Sequence, residues 1–275
     1  MPTRGAGDIR GAGPPLAGVG ARAADFYLRT GYMPLQHVGL QPRRKPIIFD
    51  ERQLEGLIAY VASLGGVVLD STPREEQIAF WLNAYNAIVL ETVIDHYPIA
   101  QRTPQYPPHS IRQIPGAFER VPHRVAGKTM TLDQIEQTIL APFHDPRLYL
   151  ALGRGSVGGG RLRSEAFAPA RLEAQLKDVA DECVTRPECV QVDREANKLV
   201  VSAIFSWREK DFIEAFAAKA PDVFASRGPI ERAVLGFVQP KLLATEREFL
   251  EKNQFQMTYR PFDWSLNDLT GRGGR

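Results

Sequence analysis

The chain is poor in the residues that most often carry chemistry. It has two cysteines, Cys183 and Cys189, and five histidines in 275 residues. The cysteines lie in CVTRPEC, a spacing that matches no zinc or redox motif. A disulfide closing so short a loop is possible but is disfavoured by the usual limits on Cα separation, so two reduced or partly buried thiols are the expectation. His37, His96, His109, His123 and His144 form no H-x-x-x-H or other ligand spacing. No metal site and no cofactor are therefore expected. No apolar run approaches the roughly 20 residues of a membrane-spanning helix. The first 23 residues hold glycine and charge but no continuous apolar core, which excludes a secretory signal and leaves a cytoplasmic location as the default. Nor is there an excess of charge: 34 basic against 32 acidic residues give a net +2, which excludes an electrostatic case for nucleic acid or an anionic membrane.

What is present suits a soluble globular protein. Hydrophobic residues make up 44% and charged residues 24%. Residues 1–23 read as a flexible tail and 24–275 as a single α+β domain, with no internal repeat or later linker. Ile47–Phe49 has the look of a short strand. Leu54, Leu57, Ile58, Val61 and Leu64 follow helical spacing until Gly65-Gly66. The clearest helix lies in STPREEQIAFWLNAYNAIVLETVIDHYP. Ser71 or Thr72 can cap it, Pro73 suits its first turn, Glu75 and Glu76 suit its positive end, and Pro98 stops it. It is apolar on almost all sides, as a buried central helix should be.

Further along, Val121–Met130 reads as a hairpin, and Thr131 with Gln134 forms a capping box for a helix to about Leu140. Leu148–Leu152 reads as a short buried strand. A helix near Pro169 follows, with Leu172, Leu176, Val179 and Cys183 on one stripe. Cys189–Val192 and Lys198–Ser202 bracket a turn. Three more helical stretches and a strand at Gln256–Tyr259 lead to PFDWSLND. The sum is an α+β fold, a central buried helix packed on a small, mostly antiparallel sheet.

The site candidate is RLYLALGRGSVGGGRL, residues 147–162. Gly153, Gly155 and Gly158 match G-x-G-x-x-G, but no helix starts at once and no alternating strands and helices precede it, so a dinucleotide site is not expected. Ser156 lacks the glycine at 154 that a nucleophile elbow needs; a turn serine is the plainer reading. Asn83 and Asn86, three apart on the central helix, face one side. They either bond loop backbone or orient a reacting group.

Several segments together resemble one family, the domain of unknown function 547: FWLNAYNAIVL, KTMTLDQIEQTIL, DPRLYLALGRGSVGGGRLRSEAF, IFSWREKDF and YRPFDWSLND. The resemblance implies a mixed α+β fold, remotely like the papain/transglutaminase-type cysteine hydrolases. Arg147, Ala151, Leu152 and Gly155 agree with the family pattern. The family histidine falls on Tyr149, its first cysteine on Arg154 and its second on Gly159, and its prolines on Gly160 and Arg161. A thiolate nucleophile needs a cysteine and a basic partner, so thiol catalysis is expected to be lost. The retained cleft is expected to bind a small anionic or peptide-like ligand through Asn83, Asn86, Arg147, Gly155, Ser156, Gly158, Gly159 and Arg161. The alternatives are altered acid–base chemistry, with Tyr149 as acid or base, Arg154 at an oxyanion and Glu136 or Glu165 as base, or a non-catalytic interaction domain.

Overall fold

The computed structural model describes residues 51–163 and 165–267, with side chains from Leu54 onward. The tail expected at 1–23, the strand expected at Ile47–Phe49 and His37 lie outside the described residues. Helix α1 (Glu51–Ser63) ends in a 3-10 turn at Leu64–Gly66 and packs against α2 (Arg74–Asp95). Helix α2 buries every residue from Ile78 to Val89. Neither expected cap bonds its N-terminus: Pro73 sits at the cap, and the Thr72 hydroxyl donates to Leu69 O instead.

The hairpin β1 (His123–Val125) and β2 (Lys128–Met130) turns at Ala126-Gly127, both at positive φ. Helix α3 (Leu132–Gln134) then starts from the expected capping box and runs on as a π-helical segment, Ile135–Leu140. A π-turn is often associated with a functional position, and here it carries Glu136. Next comes α4 (Arg147–Leu150), where a strand was expected. The correction has a local cause. Asp145 Oδ1 accepts the Arg147 N–H and Pro146 supplies a helical first turn, while periodicity in so short an apolar run cannot separate strand from helix.

Helix α5 (Leu172–Thr185) buries the expected stripe. The thiols expected at its end are instead joined, Cys183 to Cys189. A turn explains it: the Arg186 N–H donates to Cys183 O and the Cys189 N–H to Arg186 O, which brings the two Cα atoms to 5.3 Å. That lies within the range a disulfide accepts.

Strands β3 (Val190–Asp193) and β4 (Lys198–Ser202) are antiparallel, and β5 (Gln256–Arg260) adds parallel to β4. Helices α6 (Ile204–Trp207), α7 (Glu209–Phe216), α8 (Pro229–Val238) and α9 (Ala244–Glu251) separate β4 from β5. One connected hydrophobic cluster runs from Leu57 to Leu266. The fold is α+β, but the main neighbours of α2 are α1, the π-helical segment and the 3-10 turn Pro169–Arg171, not the sheet. Three strands of at most five residues are too short to flank a helix of 22 residues, about 33 Å long.

Candidate functional site

The glycine stretch is folded in on itself. The Gly153 N–H donates to Asn86 Oδ1 (2.8 Å) and the Gly160 N–H to Leu152 O (2.9 Å). The Val157 and Gly158 N–H groups donate to Ser265 O and Asp263 O, each at 2.9 Å, and the Asn267 N–H returns a bond to Gly155 O. The C-terminal segment is thus laid along the loop like a strand. Glycine is needed for close approach. A Cβ on Gly159 would stand 2.2 Å from Gly153 O, and one on Gly158 would stand 2.9 Å from the Asp263 nitrogen. From the other side, Arg186 donates to Val157 O and Gly159 O at 2.8 and 3.1 Å.

The asparagines do similar work. Asn83 exchanges two 2.9 Å bonds with the Phe167 backbone, and Asn86 donates to Ala151 O as well as accepting from Gly153. Both side chains are buried, and each uses its amide oxygen and one N–H on loop backbone. Arg147 is held by Asp145 and Glu173 (2.8 and 2.7 Å), and the hydrogen bonds to those carboxylates raise its pKa. Arg161 pairs with Glu182 at 3.2 Å. Glu165 is held low despite some burial, by bonds from Gln175 and Arg171.

What the loop does deliver is Arg154. With φ of 47°, this residue turns its side chain inward, where it is 3% exposed. Its Nη1 donates to Tyr149 O at 3.0 Å and its Nη2 to Glu136 Oε1 at 2.9 Å. Arg208 donates its own Nη2 to the same oxygen, also at 2.9 Å. Burial pulls the Glu136 pKa up, but the charge of Arg154 and the bonds from both arginines outweigh it and hold the carboxyl below its ordinary value. Arg208 also lies over the Tyr149 ring, 3.9 Å from the centroid. Tyr149 itself is 1% exposed, its hydroxyl has no hydrogen-bond partner, and burial pushes its pKa up to about 12.

These charges form one wall of a cavity of about 260 Å³. Arg112, Asp133 and Gln137 complete its polar lining, and Phe118, Trp207 and Trp264 are its aromatic lining residues. Arg112 lies over two of these rings, 4.5 Å from the centroids of both Phe118 and Trp264, and is paired with Glu119. Burial and the neighbouring Glu119 raise the Asp133 pKa against the pull of Arg112. Trp207 is 47% exposed. Phe262 backs the two indoles, 5.0 Å from Trp207 and 4.5 Å from Trp264.

Of the residues singled out from sequence, Glu136 and Arg154 therefore meet at the cavity. Tyr149 lies behind it, and Asn83, Asn86, Arg147, Gly155, Ser156, Gly158, Gly159 and Arg161 are not among its lining residues. None of the described histidines lines it either. The residues not anticipated are Arg112, Phe118, Asp133, Gln137, Trp207, Arg208 and Trp264. Asp133, Gln137, Trp207, Arg208 and Trp264 do lie in the segments that carry the family resemblance, whereas Arg112 and Phe118 had no such signal.

Residues 69–184 match the family described as protein of unknown function, DUF547. The matched segment contains α2, the capping box, the glycine loop and all but the last residue of α5, and stops before Trp207, Arg208 and Trp264. A stretch of 54 residues is 46% identical to the cytochrome bc1 complex cytochrome c subunit of Mycobacterium tuberculosis and of Mycobacterium bovis. The Mycobacterium leprae subunit is 43% identical over 54 residues. These matches cover 20% of this chain and 19% of each relative, so the similarity takes in about a fifth of their length. No solved structure matches the chain significantly.

Proposed function

We propose that this cleft binds a small anionic or peptide-like ligand and that the chain works without thiol chemistry. The arrangement that carries the reading is one carboxylate oxygen shared by two guanidinium groups, Arg154 and Arg208, in the wall of a cavity lined by a third, Arg112. Glu136 cannot neutralise both partners, so the trio keeps a net positive charge. Burial of Arg154 and Glu136 beside aromatic rings lowers the local polarity and strengthens that charge at short range. A carboxylate or phosphate is the group that guanidinium forks bind best. Asp133 shares the cavity, and its raised pKa makes it the acidic group most readily neutralised there.

Both cysteines of the chain are tied in the Cys183–Cys189 disulfide, which leaves no free thiol among the described residues. The disulfide also favours an oxidising compartment over the cytoplasm. The acid–base alternative is weaker. Tyr149 is buried behind the wall with a phenol that stays protonated, and Glu136 is an ionised, doubly bonded carboxylate and so a poor proton acceptor. The shared core from Leu57 to Leu266 favours a single domain over that range. The remote likeness to cysteine hydrolases rests on motifs alone.

The test is thermal unfolding at low ionic strength with added phosphate or acetate, comparing wild type with Arg208→Gln. The reading expects wild type to gain about 2.7 kcal/mol when the anion reaches a hundred times its Kd. The variant should gain far less above its own anion-free baseline. Equal gains in both proteins refute the reading.

A further inference from the structure

The aromatic side of the cavity narrows the ligand class. This step rests on the reading of the cleft as an anion site. Trp207 is half exposed at the mouth of a cavity, although tryptophan is among the residues that gain most from burial. Its indole plane lies within 23° of that of Trp264, with centroids 6.4 Å apart. Phe262 supports both from behind, and Phe118 meets Trp264 edge to face at 5.8 Å. The arginine among these rings, Arg112, has its Nε buried without a hydrogen bond. A cavity of about 260 Å³ is below the ~300–1,000 Å³ of sites for drug-sized ligands. It is too small for an extended peptide and fits one ring.

We infer that the ligand is an aromatic carboxylate: one planar ring set against Trp207 and Trp264, with its carboxylate held by Arg112 and Arg208. The two halves of such a molecule match the two halves of the wall. The ring covers the exposed indole of Trp207 beside Trp264, and the acid supplies the negative charge that Glu136 alone does not. A saturated ring of the same size would fill the space but offer no π-face, and acetate would satisfy the charge and leave Trp207 exposed.

The experiment is isothermal titration of the full chain with benzoate, cyclohexanecarboxylate, acetate and phosphate. Benzoate should bind about tenfold more tightly than cyclohexanecarboxylate or acetate, from two ring contacts. Trp207→Leu changes a side chain that the core does not need. It should cut the ratio of benzoate to cyclohexanecarboxylate affinity to about threefold or less, because one of the two ring contacts is gone. Equal affinities for benzoate and cyclohexanecarboxylate overturn the inference and leave the anion reading standing. So does benzoate binding that is indifferent to both Trp207→Leu and Trp264→Leu. If none of the four anions binds, the anion reading falls and takes this inference with it.

Discussion

Replacing Glu136 by glutamine tests whether the charged wall is built as described. The substitution keeps the volume and one acceptor oxygen but removes the charge that two guanidinium groups share. Arg154 is 3% exposed and Arg208 is 11% exposed at the side chain, so neither can recover its hydration without moving. Removing one partner of a buried pair costs about 3–5 kcal/mol, mostly because the remaining charge is stranded. Here one deletion strands two. The expected loss at pH 7 is therefore about 3 kcal/mol or more, read from urea unfolding as a lower midpoint with an unchanged slope. The pH dependence adds a second check. The folded-state pKa of Glu136 lies below its ordinary 4.5. Its contribution is thus fully present above about 4.5 and fades as pH falls through the folded value, where both states become protonated. Wild type and Glu136→Gln should converge in acid and diverge above it. A variant within about 0.5 kcal/mol of wild type at pH 7, the range of ordinary surface changes, refutes the shared-carboxylate account. So does a difference of the same size at every pH.

Tyr149→Phe removes a buried hydroxyl that has no partner and keeps the ring under Arg208. Stability should stay within about 1 kcal/mol of wild type or rise, and anion binding should be retained; a large loss of binding would return Tyr149 to the site. Asn86→Ala leaves the Gly153 N–H and the Ala151 carbonyl buried and unpaired. At about 1–3 kcal/mol for each group, chemical denaturation should show a loss of several kcal/mol. Gly159→Ala forces a methyl to within 2.2 Å of the Gly153 oxygen, a backbone atom that cannot swing away. Overpacking of this kind costs about 1–3 kcal/mol, visible as a lower Tm, and an unchanged Tm would contradict the packing of the loop. Asp133→Asn should do the opposite. The carboxyl has a raised folded pKa, so its ionised form opposes folding above that value. The variant should be more stable than wild type at neutral pH and lose this advantage in acid.

Most helices were legible because their signals are local. The Thr131–Gln134 capping box, the apolar stripe of α5 and the 22-residue apolar helix α2 depend on spacing within a few turns. The misread element, α4, is too short for periodicity to act, and its conformation follows from one side-chain bond of Asp145. The disulfide was missed because a six-residue separation looks strained until the Arg186 turn folds it. The site was half legible. Arg154 and Glu136 belong to motifs in the resembling segment, but the aromatic wall comes from chain positions 118, 207 and 264, which only tertiary packing brings together.

The glycine stretch attracts attention as a binding loop, yet its amide groups are mostly consumed within the protein. Its role follows from two of its products. Positive φ at Arg154 turns a guanidinium inward toward Glu136, and the missing side chains at Gly158 and Gly159 let the Asp263–Asn267 segment lie alongside. That segment carries Trp264. The charged half of the cavity and part of its aromatic half are therefore positioned by one loop, from opposite ends. Arg186, set by the turn that the disulfide closes, grips the same loop through the Val157 and Gly159 carbonyls. The disulfide is thus linked to the cleft through Arg186 and the loop, although both products of the loop have further anchors: Arg154 is held by Glu136 and Tyr149 O, and Trp264 by Arg112, Phe118 and Phe262.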